Sequence, residues 1–83
     1  MNVLVVTETE ESESIIIGVC DSKNSANKLV EMYYGVDNFK ELSFKDIRDS
    51  NIECQRVLSV VDTLNIGSNY TVILMYEWFE LNK

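Results

Sequence analysis

The chain has 83 residues, 46 % of them apolar, and fourteen acids against seven bases give it a net charge of −7. Those figures describe one small globular domain, near the size at which a single core only just suffices. Without histidine it lacks the commonest general base and every triad built on one, and its acidity disfavours phosphate backbones and anionic membranes as direct partners.

In chain order, Val3 to Thr9 is rich in β-branched residues, and Ile15 to Cys20 repeats that character. Two such runs around a polar connection predict a β-hairpin. The connection "TETEESES" has no Asn-Gly or Asp-Gly pair, so a loop of four or five residues is expected. Residues 1–22 hold Glu8, Glu10, Glu11, Glu13 and Asp21 with no base, whereas the rest of the chain is nearly balanced. Met1-Asn2 runs straight into a short apolar stretch, unlike a signal peptide, so a soluble cytoplasmic protein is expected.

"DSKNSANKLVEMYYG" predicts a helix, with Asp21 or Ser22 as its N-cap and Gly35 as its left-handed stop. Ala26, Leu29, Val30 and Tyr33 stand at i, i+3, i+4 and i+7, one stripe to pack on a sheet. From Val36 to Asn51 the pattern weakens. "SFKDIRDS" predicts a short helix capped by Ser43, with Phe44 and Ile47 on one side and charges of alternating sign on a solvated face.

Residues 52–64 read two ways. Cys54, Val57, Leu58, Val61 and Leu64 fit a helical stripe, and Ser50 and Glu53 have capping-box spacing. The β-branched density and the alternation of Ile52, Cys54, Leu58 and Val60, interrupted by Arg56, suit a strand. The turn chemistry of "NIGSN" and the strand-like "YTVILMYEWFEL" behind it favour the strand, closing a hairpin from Cys54 to Leu81. In that last strand Val72, Leu74, Tyr76 and Trp78 share one face. Ile73, Met75, Phe79 and Leu81, with Glu77 among them, share the other. The expected fold is α+β, a single domain over residues 1–83. It has an antiparallel sheet of about four strands, the main helix on one face and a short helix in the middle connection. One helix covers one face only, so the second apolar face calls for the middle segment, a second copy or a partner.

The order of "IIIGVCDSKNSANKLVEMY" and the closing "YEWFELN" resembles short uncharacterised proteins of phages and other mobile elements in Gram-positive bacteria. The similarity covers Ile15 to Met32 and Glu77 to Asn82, about a third of the chain. It implies a hairpin, a Ser-capped helix and a closing hairpin, and it carries no catalytic residue.

For chemistry, no enzyme, cofactor or metal is expected. Cys20 and Cys54 read as buried free thiols, without a histidine or CxxC pair to build a zinc site. The glutamate loop lacks the aspartates and glycine of a calcium loop, and the isolated glycines make no phosphate cradle. The expected function is that of a small acidic accessory protein acting by protein–protein binding. In one form it inhibits a host defence or nucleic-acid-binding protein by covering a basic surface, with Glu8, Glu10, Glu11 and Glu13 steering association. The alternative is a structural homodimer through the second sheet face, with the acidic hairpin only solubilising it. A third idea is an aromatic pocket of Tyr33, Tyr34, Tyr76 and Trp78.

Overall fold

Sequence patterning and backbone chirality sort the chain into five strands and one helix in the computed structural model, which describes residues 1–81. The first hairpin is β1 (Asn2–Glu10) and β2 (Glu13–Cys20). It is followed by helix α1 (Lys23–Tyr34), a single 3-10 turn (Val36–Asn38) and a three-stranded meander. The meander comprises β3 (Phe39–Asp49), β4 (Ile52–Val61) and β5 (Asn69–Glu80). All five strands form one sheet in the order β2-β1-β5-β4-β3, antiparallel throughout. The α+β class holds, with five strands in place of about four. Asn82, where the closing motif ends, lies outside the described residues. Among the described residues no helix is long and apolar enough to cross a membrane.

The chain leaves β2 at one sheet edge and re-enters as β3 at the other, so α1 must cross one face. Ser22 caps it: the Ser22 hydroxyl accepts from the Ser25 amide at 3.1 Å, and Gly35 at φ 90° donates back to the Glu31 carbonyl at 2.9 Å. The buried stripe is Ala26, Val30 and Tyr34, with Leu29 partly buried. The predicted Tyr33 lies half-exposed beside it. The stripe is turned by one residue at its end because the Tyr34 hydroxyl finds a buried partner on β1, described below. Beneath the helix lie Leu4 and Val6 of β1, Cys54, Leu58 and Val60 of β4, and Val72, Leu74 and Tyr76 of β5.

Where α1 crosses β2 the approach is close. A Cβ on Gly18 would stand 2.1 Å from Leu29 Cδ2, so any larger residue there requires the Leu29 side chain or the helix to shift. One residue earlier, β2 carries a bulge: Val6 pairs with Gly18 and Thr7 with Ile16, which leaves Ile17 extra. The bulge accounts for three consecutive isoleucines in a strand of period two. Ile17 packs on the core while Ile16 points to the opposite face with Thr7.

Two expectations are corrected. "SFKDIRDS" is strand, the outer edge of the meander, and has no helix capped by Ser43. Its Phe44 pairs with Arg56 and lies under the Lys23 ammonium, 4.9 Å from the ring centroid. Pairing with β4 satisfies the inner side of its backbone over most of its length, interrupted at Leu42 and at Ile47 and Arg48, which an isolated two-turn helix of marginal propensity cannot match. The connection between β1 and β2 is also tighter than expected. Glu10 pairs with Glu13 and only Glu11 and Ser12 turn the chain, with Glu11 at φ 56°. Residues 52–61 are strand, as the turn behind them indicated.

The middle segment is thus part of the sheet and does not cover its second face. That face keeps its alternating apolar residues open, with Ile16, Val19, Ile73 and Phe79 all exposed.

Candidate functional site

Three groupings of side chains have chemical character beyond simple packing. The first is a buried polar cluster in the covered layer. Arg56 of β4, 8 % exposed, donates from Nε and Nη2 to the Glu41 carboxylate of β3 at 3.0 and 2.7 Å. Through Nη1 it donates to the Tyr76 hydroxyl at 2.9 Å and to Asn27 Oδ1 of α1 at 3.3 Å. The Tyr76 hydroxyl donates in turn to Asn27 Oδ1 at 2.7 Å. Burial opposes the guanidinium charge, but the Glu41 and Tyr76 hydrogen bonds outweigh it and hold the group above its ordinary range. The fork-on-carboxylate geometry fixes β3 to β4 and anchors α1. Its hydrogen bonds join β3, β4, β5 and α1 to one another, so the cluster reads as structural.

The second grouping lies at the end of the sheet where β1 and β4 finish and β5 begins. An open cleft of about 560 Å³ there is lined by Tyr33 and Tyr34 from the last turn of α1, Asn38 after it, and Tyr70 at the start of β5. Glu10 lines it from β1, Val60 and Val61 from the end of β4, and Asp62, Thr63 and Leu64 from the β4–β5 turn. The Tyr33 and Tyr34 rings meet edge to face, with centroids 4.9 Å apart. Asn38 Nδ2 donates to the Tyr34 carbonyl at 3.1 Å and holds the corner below the helix.

Behind the Tyr34 ring its hydroxyl donates to Glu8 Oε2, and Glu8 is 8 % exposed. Burial pushes the Tyr34 hydroxyl upward from its ordinary range, and the hydrogen bond to Glu8 adds to that. Tyr70 is raised as well, by burial first and then by Glu8, Glu10 and Asp62. Burial leads both shifts and neighbouring carboxylates add to them, and no lysine or arginine is among the cleft's lining residues. Electron-rich ring faces beside carboxylates attract a cation.

The third grouping is the hairpin tip. Glu10, Glu11 and Glu13 are exposed there, with Glu10 and Glu13 directly opposite one another. Of the four glutamates singled out from the sequence, the fold brings these three together at the tip. It sets Glu8 apart, pointing into the covered layer behind the cleft. Glu8 and Glu10 share a side of β1, as period-two alternation requires, and so join the tip to the cleft. The four aromatic residues suggested as a pocket are divided. Tyr33 and Tyr34 line the cleft, Tyr76 is wholly buried in the core, and the Trp78 indole donates to Glu53 Oε1 at 3.1 Å. Tyr70 was missed, although it continues the alternation of Val72, Leu74 and Tyr76 toward the strand's start.

Cys20 and Cys54 are both free. Cys54 is fully buried and Cys20 half-buried, and burial pushes both thiols upward, Cys54 to about 11. Such thiols are poor nucleophiles at neutral pH. Among the described residues, no three His, Cys, Asp or Glu side chains stand together in a way that could hold a metal ion. Compared with known protein families, curated proteins and solved structures, the chain matches none.

Proposed function

We propose that this protein works by binding rather than by catalysis, and that its acidic end receives a basic protein partner. The observation that carries the reading is the continuity of the exposed glutamate tip with a tyrosine-walled, carboxylate-flanked cleft that has no basic lining residue. Glu10, Glu11 and Glu13 act at a distance, raising the encounter rate with a basic surface. The cleft acts at contact, taking an arginine or lysine side chain against the faces of Tyr33 and Tyr70 with Glu10 and Asp62 as counter-charges. The resemblance to short phage and mobile-element proteins supports an accessory role. A nucleic-acid-binding host protein, whose groove is basic by necessity, is the partner class that this charge pattern would inhibit.

The test uses a short peptide containing arginine and lysine, titrated into isotope-labelled protein. Saturable amide shifts are expected around Tyr33, Tyr34, Asp62 and Tyr70, weakening steeply with salt. Tyr70→Leu, which changes no charge, should weaken binding several-fold. Replacing Glu10, Glu11 and Glu13 together by lysine should abolish it. Small shifts spread evenly over every acidic surface, with no saturation, would refute the reading.

A further inference from the structure

The sheet face opposite α1 has a simple chemical composition once the register is followed. Along β1 it presents Val3, Val5, Thr7 and Thr9, and along β5 Thr71, Ile73, Met75, Glu77 and Phe79. β4 adds Gln55, Val57 and Ser59 opposite Met75, Ile73 and Thr71, and β2 adds Ile16 and Val19. Val19, Ile16, Phe79 and Ile73 are 60, 66, 47 and 37 % exposed. At the β1–β2 end the surface dips into an apolar hollow walled by Val3, Val5, Ile16, Val19, Phe79 and Leu81. Nothing within residues 1–81 covers this face.

We infer that a second copy of this chain covers it, giving a two-sheet sandwich with one helix on each outer side. Three observations select a copy of the chain as the occupant. The first is charge. The molecule carries −7 overall, yet this face presents only Glu77, with Asp49 in its row at the β3 edge and Glu80 at the rim of the hollow, against two lysines, Lys40 and Lys45, at the β3 margin. The face is therefore close to neutral, in contrast to the acidic hairpin end. A strongly basic partner would find little on this face to pair with.

The second is area. Five strands about 4.8 Å apart and roughly nine residues long, at about 3.3 Å each, make a face of about 600 Å². Burying one from each copy removes about 1,200 Å², the lower end of what a specific dimer needs.

The third is symmetry. β5 is the middle strand of the five, so a two-fold axis parallel to it lays Ile73 and Met75, and beyond them Glu77, over their own counterparts. The same axis places β3 of each copy over β2 of the other. Lys40 pairs with Ser59, and Ser59 with Thr71. Continued across the sheet past Thr9, which pairs with Ile73, that row arrives at the β1–β2 turn. The axis therefore brings Lys40 of one copy toward the Glu11 turn of the other. Aligned sandwiches cross at about 30°, which long lysine side chains span readily. Hydrophobic contact around Ile73 and Met75 and opposite charges at two margins favour a second copy, with the single Glu77 pair toward one end as the opposing cost.

The experiment is light scattering after size exclusion at about 100 µM protein. The expected mass is twice the 9.5 kDa of one chain. Val19→Lys and Phe79→Lys change side chains already exposed in one copy, so each variant keeps its circular dichroism spectrum and elutes as a monomer. Lys40→Glu weakens the dimer about tenfold, and adding Glu11→Lys restores it. A wild-type chain of 9.5 kDa at that concentration overturns the inference, whatever other partner later occupies the face. So does a dimer that survives Val19→Lys and Phe79→Lys together. Neither result bears on the peptide titration, whose site lies at the end of the covered layer.

Discussion

At the residue scale the polar side chains of the covered layer decide more than their number suggests. Arg56 looks in the sequence like a fault in an otherwise apolar alternation, yet it occupies the buried face in phase with Cys54 and Leu58. What the sequence could not show is Glu41, fifteen residues earlier, brought opposite by the β3–β4 pairing. Arg56→Ala should cost about 2–3 kcal/mol, less than a fully buried pair because Glu41 remains partly in solvent. Glu41→Gln should cost below about 1 kcal/mol, and a double-mutant cycle by urea unfolding should return a coupling of about the same size. Cys54 gives a prediction of another kind. Its thiol stays protonated in the fold up to about pH 11, against an ordinary value of 9.0. Between those values the native state holds more protons than the unfolded chain, so stability falls as pH rises from about 9 to about 11. The loss attributable to this group is on the order of 2 kcal/mol. The tyrosines raised by burial extend the decline from about pH 10 upward. Cys54→Ala should therefore delay the onset of alkaline destabilisation by about one pH unit, which urea midpoints measured from pH 8 to 11 will show. An unchanged onset would mean that the thiol ionises without opening the core.

At the element scale the readable parts of the sequence are those whose periodicity burial enforces. β5 and α1 each pack one face on the core, so Val72, Leu74 and Tyr76, or Ala26 and Val30, repeat at the period of their element. β3 is an edge strand with Ile47 and Phe39 its least exposed residues, and no buried stripe was written into it. Its charges of alternating sign fit a helix or a strand equally, and only pairing with β4 settled which. The β2 bulge was hidden for the opposite reason. Three apolar residues in a row break the period of two, and one extra residue shifts Ile17 toward the core. Gly18 is the element-scale test. Gly18→Ala drives a methyl group into Leu29 and forces the side chain or the helix to move, at about 1–3 kcal/mol. If the contact with Leu29 is the cause, Gly18→Ala combined with Leu29→Ala should cost less than the sum of the two single changes. Strict additivity of the thermal shifts would place the constraint in the β2 backbone instead.

At the scale of the whole molecule the charge is arranged to be felt at one end. Glu10 and Glu13 face one another across the hairpin, and like charges directly opposite cost roughly 0.2–1 kcal/mol. Glu11 adds a third charge in the turn at positive φ, a backbone region that suits asparagine or glycine better. A hairpin tip selected for stability alone would place a lysine at position 13 and asparagine or glycine at position 11. The acidic tip is therefore expected to reduce stability, a cost consistent with the proposed encounter with a basic partner. The acids were legible in the sequence as a cluster. The division of their work was not, because only the fold turns Glu8 inward to Tyr34 and leaves the other three outside. Glu13→Lys should raise the melting temperature by about 3–6 °C at low ionic strength, as a gain just under 1 kcal/mol does in a chain of this length. The gain should shrink toward zero in about 1 M salt, where the Debye length is about 3 Å. The same substitution should slow association with a basic partner while leaving its dissociation rate nearly unchanged, since steering acts before contact. A variant that is more stable yet binds as fast would show that the tip serves neither role.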